Sequence, residues 1–553
     1  LSHLYFGKAI KTYHDGRKYP VMDRSFSPNP EGTPLKTRDF SLDVISQEFP
    51  SYGHGDFRNP AVQIKQTNGS SITEFVYDSY EIISGKPILD GLPATYVEAD
   101  EEAETLVITL IDKLLNLKLK LSYTIYAQRN VIARNALLEN NGTAPVVIEK
   151  LASLSVDLPE QDLELISLPG RHVKEREIER QTIQRGTRII DSKRGTSSHQ
   201  SNPFIAIVEP KTDEFTGTAI GLTLVYSGNH EMLVERDQFS QTRVMAGINP
   251  FGFEWELESD ASFQSPEALL VYSDQGLNGM SQTFHDLLQN RLARGQYRQA
   301  ERPILINNWE ATYFDFDEDK ISALFKDAKD LGVDMFLLDD GWFGNKHPRN
   351  NDDAGLGDWQ ENVKKLPHGL GHLVKEAKKE GVKFGIWIEP EMVNPRSELY
   401  EKHQDWVIRQ PQRPEVYFRN QMVLDLSNPE VQDFVFGIVD NLFTKNPELA
   451  FIKWDCNAVI YNAYSAYLNK KGIPQSNLYI DYVKGLYKVL ERIRAKYPKV
   501  PMMLCSGGGG RGDYEFLKYF TEFWPSDDTE PVERIFRSEE HTSELQSPMF
   551  ISY

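Results

Sequence analysis

The chain has 553 residues, 40% of them hydrophobic, and a formal net charge of -20. This length and apolar content allow two or three domains with sizeable cores, because one hydrophobic core rarely serves so long a chain. The acidic balance argues against a nucleic-acid partner. The sequence has no run of 18 or more apolar residues, so it does not predict a membrane span. The two cysteines, Cys456 and Cys505, are too few for a disulfide framework or a structural zinc site.

The first half of the chain has the period of two that is typical of half-buried strands. Residues 117–125 alternate between apolar and polar side chains, and similar short runs occur at 105–111 and 219–226. Clusters of Gly, Asn, Asp and Pro separate these runs, as expected for turns. The pattern predicts an all-β sandwich, a supersandwich, over residues 1–278.

The period then changes to that of a helix, and strand and helix patterns alternate after it. Residues 281–294 carry apolar side chains at helical spacing, which predicts a helical linker over 279–302. Continuous apolar runs joined by helices indicate a parallel sheet that is covered on both faces. We therefore predict a multidomain α+β protein in which a (β/α)8 TIM barrel, over 303–536, follows the sandwich. Six barrel strands are predicted, at 304–307, 335–338, 384–388, 451–454, 502–505 and 519–524.

Eight strands close such a barrel, so we expect this one to be truncated after about six strands. Residues 537–547 resemble the conceptual translation of a sequencing-adapter oligonucleotide, and 537–553 are interpreted as an artefactual tail. The chain begins at Leu1 without Met, so its compartment stays open.

Polar and aromatic side chains follow each predicted strand, where a parallel barrel keeps its chemistry. Asp455 and Asp527 both end apolar runs, and two carboxylates that face one pocket are typical of glycoside hydrolysis. Tryptophan faces suit sugar rings, and Asp and Lys suit their hydroxyls. The strand exits are 308–310, 339–342, 387–389, 453–455, 505–508 and 524–528.

Two cofactor patterns compete with this interpretation. Gly507, Gly509 and Gly512 match the dinucleotide fingerprint, but they follow the fifth strand of the series rather than the first. We interpret this segment as a wall that lets a ligand approach the backbone closely. His347, His368 and His372 are expected to be too scattered for a metal site, so neither a metal nor another cofactor is predicted.

Several segments resemble the signature motifs of the α-galactosidases of glycoside hydrolase family 36. They are residues 304–314, 337–344, 453–455, 505–509 and 524–529, together with 52–58 in the sandwich. The resemblance implies a retaining exo-hydrolase of terminal α-galactosides such as melibiose and raffinose, without a cofactor. It also implies a homo-oligomer, a tetramer when the protein is full length.

Carried over position by position, the resemblance makes Asp455 the nucleophile and Asp527 the general acid/base. Asp56 would reach the site of a neighbouring subunit. One departure is Cys456-Asn457-Ala458, where the family commonly has Met-Asn-Arg, which leaves the leaving-group preference open. The implied galactose pocket consists of Asp339, Asp340, Trp387, Arg419, Lys453, Asn457, Cys505, Gly508 and Trp524.

Two other functions remain open from the sequence. An α-N-acetylgalactosaminidase would use the same chemistry but needs more room beside the 2-position of the sugar. An inactive sugar-binding fragment is the other alternative, because an open barrel exposes two strand edges. Hydrolysis rates on an aryl α-galactoside and an aryl α-N-acetylgalactosaminide would distinguish the two enzymes. Measurable turnover would exclude the inactive fragment.

Overall fold

The computed structural model of the protein describes residues 1–8, 10–11, 28 and 41–533. The predicted tail at 537–553 lies outside these residues. Contacts divide the chain into two units. The first unit comprises Leu1–Gly170, Arg176–Lys193 and Gln200–Leu292, and the second comprises Arg171–Glu175, Arg194–His199 and the chain from Ala293 onward.

In its described residues, the first unit contains two antiparallel sheets and one α-helix. In the larger sheet the strand order is β2-β3-β4-β5-β16-β11-β10-β7-β8, with β15 beside β5; in the smaller it is β1-β6-β13-β12-β9, with β14 beside β6. The strands are β1 Val62–Lys65, β2 Val76–Ser84, β3 Glu104–Asp112, β4 Leu117–Tyr126, β5 Val131–Asn140, β6 Val146–Leu158, β7 Glu164–Pro169, β8 Glu179–Thr182, β9 Gly186–Asp191, β10 Ser201–Val208, β11 Ala219–Val225, β12 His230–Arg236, β13 Thr242–Ile248, β14 Trp255–Leu257, β15 Ser262–Gln264 and β16 Glu267–Ser273.

The core of this unit is built from strands whose side chains are alternately buried and partly exposed. Leu117, Leu119 and Leu121 of β4 are buried while the lysines between them are half-buried, which is the predicted one-sided strand. Helix α1, Gly276–Arg291, packs on β11 and β16. A Cβ at Gly221 of β11 would lie 2.5 Å from the ring of Phe284, so this glycine allows the close approach of α1.

The second unit repeats strand and helix. Its main sheet is parallel throughout, with the strands in sequential order, β17-β18-β19-β22-β23-β24. The strands are β17 Leu305–Asn307, β18 Met335–Leu338, β19 Lys383–Ile388, β20 Met392–Val393, β21 Met422–Val423, β22 Phe451–Trp454, β23 Met502–Leu504 and β24 Glu522–Phe523. The helices are α2 Trp309–Thr312, α3 Glu318–Asp330, α4 Leu370–Lys379, α5 Glu398–Lys402, α6 Pro429–Lys445, α7 Ala466–Lys471 and α8 Leu478–Lys496.

Local sequence signals explain where these helices begin. The Asp317 side chain accepts a hydrogen bond from the backbone N–H of Lys320 and caps α3. Asn428 caps α6 in the same way, and Pro429 occupies its first turn. Strands β18 and β22 are buried at every position, as expected for a parallel sheet with both faces covered.

The predicted architecture, an all-β sandwich followed by a parallel barrel sheet of six strands, is confirmed. The last strand is shorter than predicted: β24 ends at Phe523, so Asp527 lies four residues beyond the strand in a loop. Three of the lost residues are at its start, where the backbone N–H groups of Tyr519 and Phe520 donate to Phe516 O in a helical turn, and Pro525, which has no N–H for a ladder hydrogen bond, ends the strand on the other side. In the part of the chain that the structure describes, none of the helices is long and apolar enough to cross a bilayer.

Candidate active site

A cavity of about 350 Å³ lies in the second unit, at the carboxyl ends of its parallel strands. Both predicted catalytic carboxylates, Asp455 and Asp527, line it. Most of the predicted galactose pocket lines it as well. The polar and aromatic lining residues are Asn307, Trp309, Glu310, Asp339, Asp340, Trp387, Arg419, Lys453, Asn457, Trp524 and Thr529.

Asp455 directly follows β22 and is buried. Its Oδ2 accepts a hydrogen bond from the indole N–H of Trp387 at 3.0 Å, and its Oδ1 accepts one from the backbone N–H of Cys456 at 2.8 Å. Burial alone would raise the pKa of Asp455, but the charge of Lys453 and hydrogen bonds from Asn457 and Trp387 lower it below its ordinary value. The carboxylate is therefore ionised and aimed into the cavity, as a nucleophile must be.

Buried ion pairs hold the two acids that follow β18. Lys453 Nζ lies 2.9 Å from Asp339 Oδ2, and this pairing keeps the pKa of Lys453 raised although burial lowers it. Asn307 Nδ2 donates to the same Asp339 oxygen. Arg349 donates to both oxygens of Asp340, with Nη2 2.8 Å from Oδ2. Burial raises the pKa of Asp340, and Arg349 opposes that rise. Fixed charged acceptors of this kind suit sugar hydroxyls.

Asp527 has a different environment. Its side chain is 37% exposed, and its Oδ1 accepts a hydrogen bond from the indole N–H of Trp524 at 2.9 Å. Nε2 of His172, from the 171–175 segment of this unit, lies 3.0 Å from Oδ2. Gly508, with φ at +77°, comes so close that a Cβ there would lie 2.8 Å from the backbone N of Asp527. The missing side chain of Gly508 thus lets the loop that carries Asp527 pack closely against it.

Another buried carboxylate, Glu389, lies near Asp455. Its Oε1 accepts hydrogen bonds from Gln421 Nε2 at 2.7 Å and from the backbone N–H of Asn457 at 2.5 Å. Its Oε2 has no hydrogen-bond partner among the described residues. Burial, followed by the charge of Asp455, raises the pKa of Glu389 to about 7. Its charge state therefore changes near neutral pH.

Three predicted site residues do not line the cavity. Cys505 is buried directly after β23, and burial raises the pKa of its thiol well above the ordinary value, so it is neutral. Gly508 acts through the backbone contact described above. Asp56 belongs to the first unit, where it is buried in ion pairs with Arg58 and Arg243, each at 2.9 Å. Its reach to a neighbouring subunit stays a prediction.

Two of the three histidines that were expected to be scattered lie together. His368 and His372, one helical turn apart, approach Glu318, and ligand atoms of the three residues lie within 4.8 Å of one another. Spacing alone did not reveal this cluster, because its third member comes from another helix.

Comparison with known proteins decides the family. Residues 1–258 match the glycosyl hydrolase family 36 N-terminal domain, and residues 262–551 match the Melibiase family. The chain belongs to glycoside hydrolase family 36. The resemblance seen in the sequence is thereby confirmed, and the protein is a glycoside hydrolase.

Characterised members of family 36 align along nearly all of this chain. Alpha-galactosidase AgaA of Geobacillus stearothermophilus is 48% identical over 97% of this chain and 72% of its own length. Alpha-galactosidase Mel36A of Lactobacillus acidophilus is 45% identical over the same shares. The crystal structure of AgaA superposes with a TM-score of 0.93 at 46% identity, covering 99% of this chain and 74% of that one. A variant of AgaA in complex with raffinose superposes with a TM-score of 0.94, covering 98% and 74%.

Some site residues of this family 36 chain escaped the sequence analysis. His172 lies in a segment assigned to the sandwich, and its local sequence gives no sign that it meets Asp527. Arg349 lies in the long segment between β18 and α4, where many polar residues occur and nothing in the sequence distinguishes this one. Glu389 did carry a signal, since an acid directly after a buried strand is the pattern that identified Asp455.

Proposed function

We propose that the protein is a retaining α-galactosidase that removes terminal α-D-galactose from galacto-oligosaccharides of the melibiose and raffinose type. The observation that carries this proposal is that two carboxylates from different strand ends line one cavity. Asp455 is buried and held ionised, and Asp527 lines the same cavity from the loop after β24. A double displacement needs one carboxylate to attack the anomeric carbon and a second to transfer protons.

In the first step, Asp455 attacks the anomeric carbon and Asp527 gives its proton to the departing glycosidic oxygen. The carbon–oxygen bond to the leaving group breaks, and a galactosyl ester forms on Asp455. In the second step, Asp527 takes a proton from water, whose oxygen attacks the same carbon and releases Asp455. The configuration of the sugar is retained because it is inverted twice.

The remaining cavity residues would hold the galactose. Asp339 and Asp340 are fixed by Lys453 and Arg349, so they accept hydrogen bonds from sugar hydroxyls without moving. Trp524 offers an aromatic wall, and Lys453 lies 5.7 Å from the centre of its ring. The named relatives agree with this substrate class: AgaA and Mel36A are alpha-galactosidases, and AgaA variants were crystallised with raffinose and stachyose.

The assembly is also a proposal. We infer a homo-tetramer in which Asp56 reaches a neighbouring active site. Tyr52 and Phe57, on either side of Asp56, are 49% and 74% exposed, so an interface formed by this segment would bury aromatic surface. Light scattering after size-exclusion chromatography should give four chains for the wild type and fewer for Phe57→Ser. A wild-type monomer with full activity would contradict the proposal.

Covalent trapping tests the function directly. A 2-fluoro-galactosyl fluoride slows the second step, so the galactosyl ester should accumulate, and mass spectrometry of peptides should place the adduct on Asp455. An adduct elsewhere, or inverted galactose as the first product, would overturn the assignment. Parallel turnover of aryl α-galactoside and aryl α-N-acetylgalactosaminide should favour the galactoside.

A further inference from the structure

A cluster of two imidazoles and one carboxylate lies outside the cavity. Glu318 stands in the first turn of α3, His368 just before α4 and His372 in the first turn of α4. His368 Nδ1 lies 2.6 Å from Glu318 Oε1, and the two imidazole rings are 5.2 Å apart. None of the three residues is among those that line the active-site cavity.

We propose that Glu318, His368 and His372 bind a divalent transition-metal ion of the zinc type. Two imidazole nitrogens and one carboxylate oxygen form a common three-residue ligand set for zinc, with a fourth position left for water. His368 lies before the N-cap residue Gly369 and His372 lies within α4, and the turn at Gly369 brings their ring centres to 5.2 Å. The ligand atoms lie within 4.8 Å of one another, so small side-chain rotations bring each to the roughly 2.0–2.2 Å that zinc requires.

The surroundings of the cluster supply negative charge and access from solvent. Glu376 Oε1 lies 3.9 Å from His372 Nδ1 and adds negative charge beside the site. The side chains of His368 and His372 are 71% and 37% exposed, which gives an ion access from solvent.

The backbone fixes the carboxylate and one imidazole relative to each other. The backbone N–H of Glu318 donates to Lys365 O at 2.9 Å, and the backbone N–H of His368 lies 3.1 Å from Glu318 Oε2. These contacts connect the start of α3 to the segment before α4. A bound ion would add a second connection between the same elements, so it should stabilise the folded state.

His347 provides a matched control. Its Nε2 lies 2.9 Å from Glu401 Oε1, so it forms the same kind of histidine–carboxylate pair, but it is not part of the His368–His372 cluster. If any histidine–acid pair sufficed for binding, His347→Ala would weaken it as much as the variants of the cluster.

Calorimetric titration of the chelator-treated chain with Zn²⁺ tests the proposal. We expect one ion per chain, with affinity lowered in His368→Ala and His372→Ala by more than the roughly 10–100-fold that loss of an outer-shell partner costs. His347→Ala should bind as the wild type does, and Mg²⁺ should not compete, because it prefers oxygen ligands. Zn²⁺ should also raise the melting temperature of the wild type but not of the two variants.

The proposal would be overturned by wild-type protein that takes up no Zn²⁺ at micromolar concentration, or by binding that survives in both cluster variants. Misfolding does not obscure the outcome, because melting temperatures in chelator compare the folded variants directly. Loss of binding in His347→Ala as well would assign the ion to scattered surface pairs and likewise reject the site.

Discussion

His172 and Trp524 contact the two oxygens of the same carboxyl group, that of Asp527. Nε2 of His172 lies 3.0 Å from Oδ2, and the indole N–H of Trp524 donates to Oδ1 at 2.9 Å. Because the carboxyl group is 37% exposed and lies in a loop, these contacts are what fix its direction. His172 is thus a positioning residue for the proposed proton donor.

We predict that His172→Ala lowers kcat for melibiose by about tenfold, a part of the 10²–10⁴-fold that general acid catalysis supplies. The loss should shrink for an aryl galactoside with an acidic leaving group, since that bond breaks with little proton transfer. KM should change little. Steady-state kinetics on both substrates measure this, and His172→Gln, which keeps an N–H donor, should recover part of the rate. An equal loss on both substrates would assign His172 a merely structural role.

The two catalytic assignments predict opposite substrate patterns. Asp527→Asn should be least impaired on substrates with acidic leaving groups, while Asp455→Asn should be inactive on all of them, because no leaving group replaces a missing nucleophile. The rate that Asp527→Asn loses on melibiose should be about 10²–10⁴-fold.

Azide gives a second measurement of the same assignments. It should rescue Asp527→Asn with retained configuration, because azide attacks the galactosyl ester on Asp455. Nuclear magnetic resonance of the galactosyl azide identifies the anomer. Comparable losses for both variants on every substrate would contradict the division of roles.

The sequence predicted the carboxylates because each ends an apolar run, and such a run predicts a strand from neighbouring residues alone. The run before Asp455 forms β22 in the structure, where all four residues are buried. The length of β24 was harder to predict. A strand of two residues is too short to show an alternation of apolar and polar side chains, and aromatic residues on both sides extend the apolar run. Asp527 was singled out by the apolar run that it ends, and the likeness to known motifs then added its role as the acid/base.

Contacts between distant segments could not be predicted in this way. His172 is 355 residues from Asp527 along the chain, and a period of two says only that its neighbours form strands. The pairing of His368 with Glu318 depends on how α3 and α4 pack, which spacing along one helix does not contain. Such contacts depend on how whole helices and strands pack against one another.

Gly508 should tolerate no side chain, for a reason that a matched glycine can test. In Gly508→Ala the new Cβ would lie 2.7 Å from Glu175 Oε1 and 2.8 Å from the backbone N of Asp527, so the acid/base loop must move. We expect kcat to fall by about 100-fold, as misplacement by about 1 Å can cost. Melting temperature and kcat together measure the two effects.

Gly472→Ala is the control. Gly472 has φ at +70°, but a Cβ added there would have no neighbouring atom within 4 Å among the described residues. The substitution carries the same backbone strain, of order 1 kcal/mol, without the collision. A similar loss of activity in both variants would show that strain, rather than contact with Asp527, explains Gly508.

Glu389 should make the stability of the protein depend on pH near neutrality. Its pKa is about 7 in the folded chain against an ordinary 4.5, so the folded state binds this proton more tightly than the unfolded state does. The sign follows: the contribution of Glu389 to stability is fully present below about pH 4.5 and is lost as pH rises to about 7, by on the order of 3 kcal/mol. Glu389→Gln, which keeps the acceptor for Asn457, should remove this contribution.

Glu522 provides a control that distinguishes an effect of Glu389 on stability from an effect on catalysis. Burial raises its pKa to about 7 as well, but it lies on β24 and outside the cavity lining. The difference between the melting temperatures at pH 5 and pH 8 should therefore become smaller in Glu389→Gln and in Glu522→Gln alike, because each variant keeps the other raised carboxyl group, whereas only Glu389→Gln should change how kcat/KM varies between these pH values. The physical reason is the charge that Glu389 places beside Asp455 above pH 7. If both variants leave the pH dependence of kcat/KM unaltered, Glu389 does not influence the nucleophile.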